Sequence, residues 1–385
     1  MPTMSSRERI TAALSHREPD RIPIDLGGTM VTSITRAAYI PLRQHLGLPE
    51  EPVTVVSDLV QQLPYLGEDL LDRLGSDVRA VLLPPDMVQP PELIDEGDYW
   101  GWIDPWGAKL RMPRRNGLYF DWVGHPLADL TDETLDGYRW PAFESSRNLG
   151  AMREVALGLR TTTDFALAGT ANIGGGIFEQ ACRLVGTESF MMAMLTDRAV
   201  ADRLLEQLTE HYIEAVTGQL DAFGDLLDVV QYGDDLASQQ TWLISPDTYV
   251  DMIKPRQRRL FEAVRSRTSA KLMFHSCGAV FDVIPHLIDI GVDVVNPVQV
   301  SARGMDTARL KAAYGRDIVF WGGGVDTQGV LPFGTEDDVR AEVIRRIEDL
   351  GPGGGFVWAP VHNVQAQVPP ANIVAAFDTA RSYRR

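Results

Sequence analysis

The sequence predicts a single (β/α)8 barrel, and three observations carry the prediction. Eight short apolar, β-branched runs begin near residues 22, 78, 165, 227, 271, 292, 317 and 355. Most are apolar along their whole length, as strands buried on both faces are. Helical periodicity follows almost every one, the pattern of parallel βαβ units. No linker interrupts the series, so residues 1–385 read as one domain. Barrels of this class reach that size without dividing.

Taken in order, Ser5 to Ser15 reads as an amphipathic helix with Ile10, Ala13 and Leu14 on one side, limited by Pro19. Arg21 to Leu26 is the first strand, closed by Gly27-Gly28. Thr35 to Leu46 is a helix, and Asp58 to Leu74 a second one that Pro64 kinks or breaks. Val78 to Leu83 is the next strand. Residues 85–164 then depart from the alternation. Tyr99 to Gly107 and Gly117 to Trp122 are aromatic and Gly-rich, flanked by Arg111, Arg114 and Arg115, and predict β-hairpins. A connection this long is usually a lid or a wall of a binding site. The alternative is that its aromatics form only a small core of their own. Alternation resumes with strands at Phe165–Thr170, Leu227–Tyr232, Lys271–His275, Val292–Asn296, Asp317–Gly322 and Gly355–Pro360. A helix starts near Ile177, and helices are expected over 183–195, 198–223, 245–266, 280–290, 306–314, 336–350 and 371–383. The run Gly174-Gly175-Gly176 lacks both the dinucleotide and the P-loop spacing, so it is not read as a phosphate cradle.

A net charge of −17 and a pI near 4.8 argue against non-specific nucleic-acid or anionic-membrane binding. Cys182 and Cys277 are the only cysteines, too few for a disulfide framework, which suits a reducing cytoplasm. No apolar run approaches bilayer length. A cytoplasmic protein is expected, with the oligomeric state open and a homodimer among the options.

In a barrel of this kind, chemistry gathers at the carboxyl ends of the strands. Those ends carry Asp25, Asn172, Tyr232, Asp234, Asp235, His275, Cys277, Asn296, Gln299, Trp321, Asp326 and His362. Asp25, Asn172, Tyr232, Asn296, Gln299, Trp321 and Asp326 are candidates for holding a small-molecule substrate. His275-Ser276-Cys277-Gly278 pairs an imidazole with a thiol one residue apart, before a glycine able to turn the chain. That donor pair suits zinc, which takes N and S ligands. The competing reading is a small buried cysteine at a strand end. His211 lies on a predicted helix and is expected to be solvated.

Six segments give the chain a resemblance to the uroporphyrinogen decarboxylase-like superfamily over nearly its whole length. They are Arg7–Arg9 through Glu18–Pro23, Gly233–Leu236, Ile244–Pro246, His275–Gly278, Phe320–Gly323 and Pro369–Ile373. The resemblance implies the same (β/α)8 barrel. The decarboxylases of this superfamily hold a tetrapyrrole's carboxylates through an N-terminal R-Q-A-G-R motif. Here Asp25-Leu26-Gly27-Gly28-Thr29-Met30 stands instead, without arginine until Arg36. The chain looks closer to the corrinoid-dependent methyltransferases, whose His-x-Cys plus a later Cys binds zinc and activates a thiol. His275 and Cys277 match that pattern, whereas His362 stands where the later Cys is expected. The resemblance therefore implies zinc on His275, Cys277 and His362, and methyl transfer to or from a small thiol or methoxy compound, including O-demethylation. The sequence carries no D-x-H-x-x-G signature, so cobalamin would arrive on a separate corrinoid protein. Of Asp234 and Asp235, one would orient a metal-ligating histidine or act as general acid, and the other would cap the next helix. The alternative is a metal-free decarboxylase or lyase in which His362 is an acid/base residue.

Overall fold

Strands buried on both faces send alternate side chains into the barrel and out under the helices, and this alternation organises the chain. The computed structural model describes residues 3–51, 53–142 and 145–384. Residues 143 and 144 of the expected excursion lie outside the described residues. In chain order the strands are β1 (Val56–Asp58), β2 (Leu63–Pro64), β3 (Val78–Ala80), β4 (Ile94–Glu96), β5 (Tyr99–Ile103), β6 (Lys109–Pro113), β7 (Asp121–Gly124), β8 (Ala166–Thr170), β9 (Val229–Gly233), β10 (Lys271–His275), β11 (Val294–Asn296), β12 (Val319–Trp321) and β13 (Phe356–Val357). A curled parallel sheet runs β3-β8-β9-β10-β11-β12-β13. Val78, Ala166, Ala168, Val229, Met273, Val294, Val319, Trp321 and Val357 fill its interior. Leu167, Val230, Leu272, Phe274, Val295 and Phe320 face the opposite way, into the core beneath the helices.

The eighth stave is the expected first strand, and it is reduced to a single parallel bridge between Ile24 and Trp358. The cause is local. Pro23 has no N–H to donate, and the Ile24 and Leu26 N–H groups bond to the Asp77 carboxylate and the Ser76 hydroxyl rather than to a strand backbone. The Asp77 N–H still donates to the Ile24 carbonyl at 2.7 Å, and the Asp25 N–H to the Trp358 carbonyl at 2.9 Å, so the wall is continuous. At the amino-terminal end, the helix Ser6–Leu14 inserts Ile10, Ala13 and Leu14 into the interior cluster. Asp77 pins this floor through Arg9, Arg21 and the Ser6 hydroxyl.

Three expectations change. Residues 58–74 are not one helix: β1 and β2 form a hairpin, and only Glu68–Leu74 is helical. Gln62 has φ +54° and Pro64 carries no donor, so a continuous helix cannot pass this point. Residues 85–164 are not an excursion throughout. The antiparallel sheet β4-β5-β6-β7 accounts for the aromatic part, with Ala108, Leu110 and Phe120 buried against Trp100, Trp102 and Trp122. The helix Ser145–Thr162 belongs to the barrel's outer ring, packed on the helix Arg198–Phe223. The hairpin sheet and its following loop rest on the segment after β8. There the Trp106 indole N–H donates to the Ile173 carbonyl at 3.0 Å and the Leu127 N–H to the Leu184 carbonyl at 2.9 Å. His211 is not solvated either; it packs between the rings of Trp106 and Trp140. No described helix is long and apolar enough to cross a membrane.

Candidate metal centre

Met273 points into the barrel, so the two-residue period of β10 turns His275 inward one layer nearer the mouth. The chain then bends at Gly278, with φ +94°, where a Cβ would lie only 2.4 Å from the Ser238 carbonyl oxygen. Only glycine allows that bend. Gln299 accepts the Gly278 N–H at 2.6 Å, and Asp235 accepts the Cys277 N–H at 2.7 Å. The bend brings Cys277 Sγ back to 3.5 Å from His275 Nε2. His362 follows β13 and brings its ring centroid to 5.4 Å from that of His275. Its neighbour Asn363, fully buried, accepts the Ser33 N–H and donates to the Met30 carbonyl and to Gln61.

One donor atom from each of His275, Cys277 and His362 lies within 4.8 Å of the others. Zinc with bonds of about 2.0–2.1 Å to nitrogen and 2.3 Å to sulfur places tetrahedral N and S ligands about 3.5 Å apart. The Cys277–His275 spacing has that value, so the donor set suits zinc in both element and distance. His275 is buried, whereas Cys277 and His362 each keep some surface open to the mouth. Burial, reinforced by Asp235 and Glu179, pushes the Cys277 thiol well above its usual pKa. Burial, with the neighbouring His275, lowers His362 to about 3. His362 is therefore a neutral imidazole at neutral pH, with one ring nitrogen offering a lone pair.

The adjacent aspartates separate. Asp234 is fully buried and accepts the Phe178 and Glu179 N–H groups at the start of the helix Ile177–Val185, together with the Gln257 amide and the Tyr232 hydroxyl. It caps that helix from outside. Asp235 faces Cys277, and burial together with Glu179 raises it to about 7.

One expected substrate contact is corrected, and two others carry structural bonds. Tyr232 points outward, packed among Tyr212, Phe261 and Phe274 with its hydroxyl accepting the Ile177 N–H. Asn172 ties β8 to β9 by bonding both the N–H and the carbonyl of Gly233. Asp326 closes a local turn onto the Gln328 N–H. Asn296 and Trp321 do point inward beside His275, and Asp25 accepts the Trp321 indole N–H at 2.9 Å. All three are at most 1% exposed, so they lie beneath the mouth rather than in it.

Glu179 and Arg183 were not singled out from the sequence. They stand four residues apart on the helix Ile177–Val185, paired at 3.4 Å, with Arg183 lying 4.4 Å over the Trp122 ring. Their signal was available: this helix starts directly after the β8 loop, which places its first turns at the mouth.

The fold and site together define a (β/α)8-barrel protein with a three-donor candidate metal centre at its carboxyl-terminal face. The chain belongs to the uroporphyrinogen decarboxylase (URO-D) family, whose family model matches residues 106–383. No curated protein matches it. Among solved structures, a methyltransferase from Methanosarcina mazei superposes with a TM-score of 0.64 at 19% identity, covering 98% of each chain. A putative vitamin-B12-independent methionine synthase from Listeria monocytogenes gives a TM-score of 0.39 at 13% identity, covering 63% of this chain and 70% of that one.

Proposed function

We propose that this protein is a zinc-dependent methyltransferase that works with a separate corrinoid protein, moving a methyl group to or from a small thiol or methoxy compound. The convergence of His275, Cys277 and His362 at a barrel mouth, with Cys277 and His362 partly exposed, carries the reading. The full-length likeness to a protein described as a methyltransferase supports it. Bound there, zinc would supply a Lewis acid that acidifies a thiol or polarises an ether oxygen.

The chain's own residues supply the remainder. His275, Cys277 and His362 would hold the ion. Asp235 spends one carboxylate oxygen on the Cys277 N–H, leaving the other to receive the proton of an incoming thiol. A carboxyl raised to about 7 is suited to that exchange at neutral pH. The corrinoid, carried by its own protein, would supply the methyl group to that thiol or accept one in return.

Elemental analysis of protein purified without added metal tests the reading. About one zinc per chain is expected, and Cys277→Ala should lose it while its melting temperature stays within a few degrees of wild type. Methylcobalamin plus a small thiol should give the thioether only with the metal-loaded wild type. A metal-free wild type would favour the decarboxylase or lyase alternative that the family description suggests.

A further inference from the structure

We infer that Asn296 is a positioning residue: it fixes His275 as the Nδ1–H tautomer and so turns the Nε2 lone pair toward Cys277 and the metal position. This rests on the metal reading above and assigns Asn296 a task other than substrate contact.

The inference follows from a chain of hydrogen bonds in which each direction is forced. The Trp321 main-chain carbonyl can only accept, and an Asn296 side-chain atom lies 2.9 Å from it, so that atom is the amide nitrogen. The other end of the same amide is then the oxygen, which can only accept. It lies 2.6 Å from His275 Nδ1, so Nδ1 carries the proton. A neutral imidazole has one N–H, which leaves Nε2 as the lone-pair nitrogen, and Nε2 is the atom 3.5 Å from Cys277 Sγ. The Asn296 side chain has no freedom to reverse this order. The residue is 1% exposed, and His275 and Asn296 are register partners in the parallel pair β10–β11. Trp321 is itself held, because its indole donates to the buried Asp25. Such outer partners of a metal-bound histidine typically change metal affinity about 10–100-fold when removed.

Two variants separate positioning from general support. Asn296→Leu removes the acceptor for His275 and the donor for Trp321. Asn296→Asp keeps the acceptor and loses only the donor. Both should lower the unfolding midpoint, since both strand the Trp321 carbonyl. Titration with Co2+, followed by its visible absorption and checked against a chelator, should show affinity falling about 10–100-fold in Asn296→Leu and staying within about threefold of wild type in Asn296→Asp. Wild-type affinity in Asn296→Leu, or an equal loss in both variants, would overturn the inference while leaving the metal site standing. Imidazole 15N spectra of the metal-free wild type read the tautomer independently. His275 protonated at Nε2 would overturn the inference. Nδ1–H in a wild type that takes up no metal would uphold the tautomer assignment and count against the metal reading alone.

Discussion

Asp25 is a carboxyl group held out of water at the closing seam of the barrel, accepting from the Gly28 N–H and the Trp321 indole. Burial raises it to about 6 despite those bonds. An unfolded aspartate titrates near 3.9, so the folded chain binds this proton more tightly. Its contribution to stability is fully present below about pH 4 and is lost as the pH rises through 6. The loss is on the order of 2–3 kcal/mol at most. Asp25→Asn should be less stable by a constant offset from the disturbed indole contact, but its unfolding free energy should change less between pH 4 and 7. Denaturant titrations at four or five pH values across that window check the difference in slope. Identical slopes would show that Asp25 is ionised throughout.

The hairpin β1–β2 joins parts that the sequence leaves unconnected. Val60 accepts the Phe120 N–H from beside the hairpin sheet, and Gln61 accepts from Asn363, the residue after His362. Gln61→Ala should therefore loosen the segment 361–365 while costing about 1 kcal/mol or less in global stability. Faster amide hydrogen exchange confined to that segment and the hairpin is the expected result. This hairpin also marks where the sequence stopped being legible. Leu59, Val60 and Leu63 have helical spacing, but Leu59 and Val60 serve a core built from β5, β6 and the Phe120 region, which no local pattern announces. Strand positions read well because a strand buried on both faces announces itself by composition. His275 and Cys277 could be placed at the mouth because the end of β10 fixes their height, whereas His362, beyond β13, joined them through the family resemblance. Tyr232 was misread because strand ends are known only to within a residue or two, and one residue reverses the face. Glu179 and Arg183 were missed because they reach the mouth from a helix rather than from a strand end.

The whole molecule is a barrel with one end built for chemistry and the other for closure. The closure has a measurable weight. Ile10 is fully buried among the first interior layer, so Ile10→Ala should cost about 2–5 kcal/mol in urea unfolding. Leu195→Ala, at a residue 73% exposed, should change stability by no more than about 0.5 kcal/mol. An Ile10→Ala penalty under 1 kcal/mol would mean that the floor packs loosely and that the barrel closes without it. In either case the three donors at the opposite end should keep their spacing, because His275 and His362 are set by β10, β13 and Asn363 rather than by the helix Ser6–Leu14.

That plugged floor has a consequence for traffic. Ile10, Ala13 and Leu14 pack into the interior cluster, so the donors are not reached along the barrel axis from the amino-terminal end. Whatever reaches the donors that follow β10 and β13 arrives and departs at the carboxyl-terminal end. Two reactants sharing that end cannot be exchanged from opposite sides.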